Sequence, residues 1–160
     1  MKRYVVLALG LLAGGCVDVN APLYVAAPPA PDHKAVLYIY RVSGLAGATG
    51  NAAFVIDGVP LVHLPMQGYT YVYLSPGHHV VDQSWPVIGN LTLTRGTSLG
   101  VDVAADQSYY IRFSTAWGLA AGYTLSSTSW QMDQVRPPEA TGDLATMHFA
   151  PADPSTAGKF

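Results

Sequence analysis

From residue 34 onward, the apolar residues fall in short runs separated by Gly, Pro, Asn and Asp, and most runs alternate with a period of two. Residues 35–42, Ala-Val-Leu-Tyr-Ile-Tyr-Arg-Val, are apolar or tyrosine at nearly every position. That pattern predicts a central strand covered on both faces. Residues 52–56 predict a second strand, and Asp57-Gly58 a two-residue hairpin turn in which both residues take positive φ. Residues 59–64 are the expected return, and Pro60 places them at a sheet edge or a strand start. Gly68 precedes a run at 69–74, Tyr-Thr-Tyr-Val-Tyr-Leu, that puts three tyrosines on one face. Ser75-Pro76-Gly77 reads as the next turn, with Gly77 where positive φ is needed. Strands are expected at 78–85, at 90–95, and as a pair at 97–103 and 107–114 around Ala105-Asp106. The last is expected at 123–130.

Helical character is weak and confined to 137–147, where Gly142 interrupts it. No internal repeat is present. Short strands with a turn signal about every 8 to 12 residues predict an all-β fold, a single antiparallel β-sandwich of the immunoglobulin or transthyretin kind. The expected boundaries are 34–150 for this domain and 151–160 for a flexible tail of Pro, Ala, Ser and Gly. Residues 16–33 contain several prolines and alanines and read as a flexible tether. Where it is polyproline II it would extend about 3.1 Å per residue and hold the domain off a surface.

The chain starts with a different pattern. Lys2 and Arg3 are followed by an uncharged apolar stretch at 4–12, then Ala13, Gly14, Gly15 and Cys16. This order predicts a cleaved export signal over 1–15. The apolar stretch is shorter than the ~20 residues that span a bilayer. Ala13-Gly14-Gly15-Cys16 resembles the lipobox of bacterial lipoproteins, with Ala13 where leucine is usual. The resemblance implies a covalent lipid on Cys16 and no other cofactor. Cys16 is the single cysteine, a thiol whose presence in an exported chain lipidation would explain. Val17 stands where an aspartate would resemble an inner-membrane retention signal. The expected location is therefore the cell envelope, lipid-anchored at the outer membrane on its periplasmic side.

Composition narrows the partners. Eight Lys and Arg face ten Asp and Glu, and 11% of residues are charged. With no basic stripe, nucleic acid is not an expected partner. The expected contacts are the membrane, through the N-terminal lipid, and an envelope protein. The uncharged edge near 62–64 is the expected place for the latter, since an unguarded edge can accept another strand.

No catalytic or metal site is expected. Neighbouring strand residues point to opposite faces, so His78 and His79 cannot chelate one ion. His78 and Asp82 share a face but lie ~13 Å apart at ~3.3 Å per residue. No Gly-x-Ser-x-Gly elbow is present, and the Gly-Ala-Thr-Gly at 47–50 lacks the lysine of a phosphate loop. Tyr69, Tyr71 and Tyr73 line one face of a strand, and Tyr38 and Tyr40 one face of another. They form either cross-strand packing or an aromatic platform for a glycan or partner. Arg41 and Arg112 end strand-like runs and are expected to meet a carboxylate or cap a sheet edge.

Five segments together resemble a family of bacterial lipoproteins known only as a domain of unknown function: 34–41, Val55-Ile56-Asp57-Gly58, Gly68-Tyr69-Thr70, 74–79 and 108–112. The Asp-Gly and Pro-Gly-x-His turns are also similar to those of PEGA domains. The resemblance implies a lipid-anchored β-sandwich and brings no activity with it. The expected function is that of a non-enzymatic cell-envelope lipoprotein, structural or protein-interacting. The alternative is a periplasmic glycan or small-ligand module whose binding face is Tyr69, Tyr71, Tyr73, Tyr38, Tyr40 and Arg41.

Overall fold

A computed structural model describes residue 18 and residues 20–44, 50–85, 96–119 and 126–160, with backbone alone at 116–119 and 126–128. The expected signal at 1–15, Cys16 and the expected strand at 90–95 lie outside the described residues.

The described chain is mostly β, with two sheets and one helix. The strands are β1 (Ala35–Arg41), β2 (Ala52–Ile56), β3 (Val59–Leu64), β4 (Gly68–Leu74), β5 (Gly77–Ser84), β6 (Thr97–Val103), β7 (Ser108–Leu119), β8 (Ser126–Val135) and the two-residue β9 (His148–Phe149). The helix, α1, spans Pro137–Leu144. It starts on two prolines, whose missing N–H groups cost nothing in a first turn. Among the described residues no helix is long and apolar enough to cross a membrane.

One sheet runs β8-β7-β1-β4-β9 and the other β3-β2-β5-β6. The β2–β3 hairpin forms as its sequence predicts, with Asp57 at φ 50° and Gly58 at φ 80°. Pro60 sits on the edge strand β3. Two expected pairings differ. β4 and β5 flank the Ser75-Pro76 turn but belong to different sheets: β4 pairs with β1 and, at Gly68 and Tyr69, with β9, while β5 pairs with β2 and β6. β6 and β7 separate likewise: β6 pairs with β5, while β7 pairs with β1 and β8. Most pairings are antiparallel, as expected, but β1–β7 and β4–β9 are parallel. A parallel neighbour needs a long crossover, and for β1–β7 it runs through the other sheet.

β1 is buried along its whole length, as its unbroken apolar run predicts. Alternate residues feed two separate cores. Leu37, Ile39, Leu74, Ile111 and Phe113 meet Phe54, Ile56, Leu61, Val81 and Val101 between the sheets. The Phe54 and Phe113 rings contact edge to face, 5.6 Å apart. Val36, Tyr38, Tyr40, Tyr69 and Tyr110 point the other way, and Ala140, Leu144 and Met147 pack over them.

Both segments expected to be flexible are instead packed on the sheets. Residues 20–33 lie across the outer face of the five-stranded sheet. Leu23 bridges His148, Phe149 N donates to Pro22 O, and a 3-10 turn at Pro31–His33 leads into β1. The segment carries apolar side chains and free backbone groups, and the tyrosine face offers partners for both. In the tail, Asp153 N donates to Leu61 O at 2.7 Å, Asp153 caps a 3-10 turn at Pro154–Thr156, and Phe160 packs against the inter-sheet core. Leu61 is the extra residue where the β2–β3 register shifts, so its carbonyl turns away from β2 towards the tail.

Candidate functional site: a tyrosine face and the strap across it

The sheet register gathers the tyrosines. Tyr38 lies opposite Tyr71 on β4 and Tyr110 on β7, and Tyr40 lies opposite Tyr69 and Arg112. Alternation puts all of them on the face away from the other sheet. The five tyrosines named from the sequence are thus brought together. Arg41 is not among them. It follows Tyr40 by one residue and so points into the opposite, inter-sheet side.

The face is covered rather than open. Tyr38, Tyr40 and Tyr69 are 3%, 0% and 2% exposed. Tyr24, from the strap, stands edge-on to Tyr38 and Tyr69 with ring centroids 6.0 and 5.3 Å away. Ala27 N donates to the Tyr38 hydroxyl at 2.8 Å, and Val25 N to the Tyr69 hydroxyl at 3.2 Å. The Tyr73 hydroxyl donates to Pro28 O at 3.0 Å. The aromatic bodies therefore supply apolar area, and the phenol tips satisfy strap backbone groups beyond its single bridge at Leu23. Burial raises the pKa of Tyr38, Tyr69 and Tyr73, so all three stay protonated.

Helix α1 closes the other half of the face. Arg112 Nη1 donates to Glu139 Oε1 at 2.7 Å and lies 3.6 Å from Asp143 Oδ2. The Tyr40 hydroxyl donates to the same Asp143 oxygen at 2.9 Å. Arg112 thus meets carboxylates, as expected.

Tyr71 and Tyr73 are only half-buried. Their rings meet edge-on at 5.7 Å, and Phe149 stacks on Tyr71. They line a groove of about 390 Å³ together with Pro31, Lys34, Pro154 and Phe160.

Arg41 is 1% exposed. Its Nη1 donates to Gly50 O at 2.6 Å and Leu64 O at 3.1 Å, and its guanidinium lies 5.0 Å from the Trp85 ring centroid. Burial lowers its pKa to about 10. It ties β1 to both ends of the β2–β3 unit and offers a ligand no open surface.

The histidines turn to separate partners. His78 Nδ1 meets Asp102 at 2.8 Å. His79 Nδ1 donates to Asp57 at 2.6 Å and its Nε2 to Ser75 O at 2.8 Å. Asp82 accepts from the Ser98 hydroxyl. Among the described residues no three His, Cys, Asp or Glu side chains gather where they could hold a metal ion.

The sequence reading missed Tyr24, Tyr110 and Phe149. Tyr24 carried a usable signal, a lone aromatic in a proline-rich run. Tyr110 is paired with Tyr38 only by a parallel register that local pattern does not encode. The edge expected to be open near 62–64 is partly occupied, since Leu61 O is taken by the tail and Leu64 O by Arg41. No family model, curated protein or solved structure matches the chain, so its function rests on this geometry.

Proposed function

We propose that this chain is a non-enzymatic bacterial cell-envelope lipoprotein. Lipid on Cys16 anchors a domain that serves a structural or protein-interacting role on the periplasmic side of the outer membrane. The observation that carries this reading is the strap. Val25 and Ala27, a short way after Cys16 in the sequence, are clasped onto the domain by tyrosine hydroxyls, so an anchor at Cys16 holds a folded body and not the end of a loose stalk. The two facing sheets support a β-sandwich reading, and an immunoglobulin or transthyretin likeness is proposed in outline only, because β1 and β7 are parallel. Metabolic labelling with a fatty acid tests the anchor. Wild type is expected to be labelled and Cys16→Ser unlabelled, and equal labelling of the two would contradict the proposal.

The groove beside Tyr71 and Tyr73 favours one second reading, a periplasmic glycan or small-ligand module. Titration with soluble envelope glycans, followed by NMR, tests it. Shifts confined to this groove and lost in Tyr71→Ala would support that reading over the first.

A further inference from the structure

The strap fixes where an anchor at Cys16 would place the molecule. Ala21 O is held by His148 Nδ1 at 2.8 Å, and Pro22 O by Phe149 N at 2.8 Å. Cys16 precedes Ala21 by five residues, a contour of at most roughly 18 Å at ~3.6 Å per residue. The tether expected over residues 16–33 is therefore reduced to a leash of a few residues. Its fixed end lies at His148, beside Gly68, where β4 begins.

That end of the molecule differs from the other. Arg41 reaches Gly50 O and Leu64 O there, so β1 ends and β2 begins on the same side. Ser84 pairs with Ala53 and Thr97 with Gln83, which adds the end of β5 and the start of β6. The opposite end carries the charged turns: Asp57 with His79, Asp102 with His78, and Asp106 with His33. On the strap near the leash, Leu23 and Val25 are 53% and 69% exposed, the large apolar side chains left most open among the described residues. Both flank Tyr24, which points inward to the tyrosines, so they point outward.

We infer that the anchor end of the domain rests on the lipid bilayer surface, with Leu23 and Val25 inserted at the headgroup boundary. This rests on the reading of Cys16 as the lipidated residue. A leash this short keeps Ala21 within roughly 18 Å of the anchored residue, so the anchor end stays close to the bilayer. Two apolar side chains facing outward beside it find in the interface the burial that the fold does not give them. The polar end then faces the periplasm, where a partner would approach.

The test uses the full lipidated protein in phosphatidylethanolamine–phosphatidylglycerol vesicles that carry doxyl-labelled lipid. Lipid blocks the Cys16 thiol, so a single introduced cysteine takes an environment-sensitive fluorophore alone. Val25→Cys reports on the strap, and Asp102→Cys on the far end. Both positions are exposed. Mass spectrometry of the N-terminal peptide reads the lipid independently. The Val25 probe is expected to be quenched roughly twofold or more over the Asp102 probe. Equal or absent quenching with lipid present on Cys16 overturns the inference and leaves the lipoprotein reading standing. A Val25 probe that is shielded but unquenched also overturns it, because a protein or a second copy then covers the patch. Absence of lipid on Cys16 overturns both.

Discussion

The Tyr38 ring lies flat on Tyr110, with centroids 4.9 Å apart and planes within 6° of parallel, while its hydroxyl accepts a hydrogen bond from Ala27 N. One side chain thus joins β1, β7 and the N-terminal strap. The two contacts can be separated by substitution. Tyr38→Phe keeps the stacked ring and removes the acceptor, at a cost of about 1 kcal/mol. Tyr38→Ala removes both and is expected to cost about 3–5 kcal/mol, as for other large buried aromatics. Chemical unfolding measures both. The Phe variant is also expected to be cut faster by protease within residues 20–33, and an unchanged rate there would argue against the clasp.

The Asp57–His79 pair predicts a pH dependence. Burial alone would lower the His79 pKa, but the Ser75 carbonyl and the Asp57 carboxylate outweigh it and hold it above its ordinary value. Both ring nitrogens face oxygen acceptors, which only the imidazolium serves fully. Burial alone would raise Asp57, but the Val80 amide and His79 outweigh it and hold it below its ordinary value. A raised histidine stabilises the fold fully below about pH 6.5 and loses that contribution as pH rises through its folded value. A depressed carboxyl stabilises above about pH 4 and loses that contribution as pH falls through its folded value. The pair therefore contributes most from about pH 4 to 6.5. In urea titrations the stability gap between wild type and His79→Gln is expected to be larger near about pH 5.5 than near about pH 9. A gap that does not change with pH would contradict the assignment.

Arg41 is expected to matter for stability. Replacing it with alanine strands the Gly50 and Leu64 carbonyls in a buried place and should cost at least about 1.5–3 kcal/mol, the range for hydrogen bonds to a charged group. Arg41→Lys keeps the charge but not the planar fork, so it should recover only part of the loss. Thermal unfolding ranks the three proteins. Equal melting of Lys variant and wild type would show that charge, not geometry, is what the site requires.

The tail guards an edge. Ending the chain at residue 150 removes the Asp153 N–H from Leu61 O and the Phe160 ring from the inter-sheet core. The shortened protein is expected to be less stable and to self-associate through β3, because an uncovered edge recruits another strand. Sedimentation velocity checks this, and a monomeric shortened protein would contradict it.

Much of the fold was legible in local pattern, and the reasons it stopped are physical. Alternation at 69–74 and the apolar run at 35–42 assigned the faces of β4 and β1 correctly, because side-chain direction in a strand is a local property. Asp57-Gly58 marked its hairpin because both residues need positive φ. Ser75-Pro76-Gly77 also marked a reversal, but a turn does not say which sheet receives the next strand. The pairing of Tyr38 with Tyr110 joins residues far apart in the chain and leaves no local trace. The strap was hardest to read. Proline removes donors and periodicity, so a docked proline-rich segment and a free one look alike in sequence. The difference lies in the tyrosine hydroxyls that receive it.

The central claim is that residues 20–33 form a strap held on the tyrosine face. Amide hydrogen exchange at Val25 and Ala27 tests it most directly, read residue by residue by NMR on the Cys16→Ser protein. Both amides are predicted to be protected, and to lose protection in Tyr69→Phe and Tyr38→Phe respectively. Exchange at the free-chain rate in the unsubstituted strap would contradict the account.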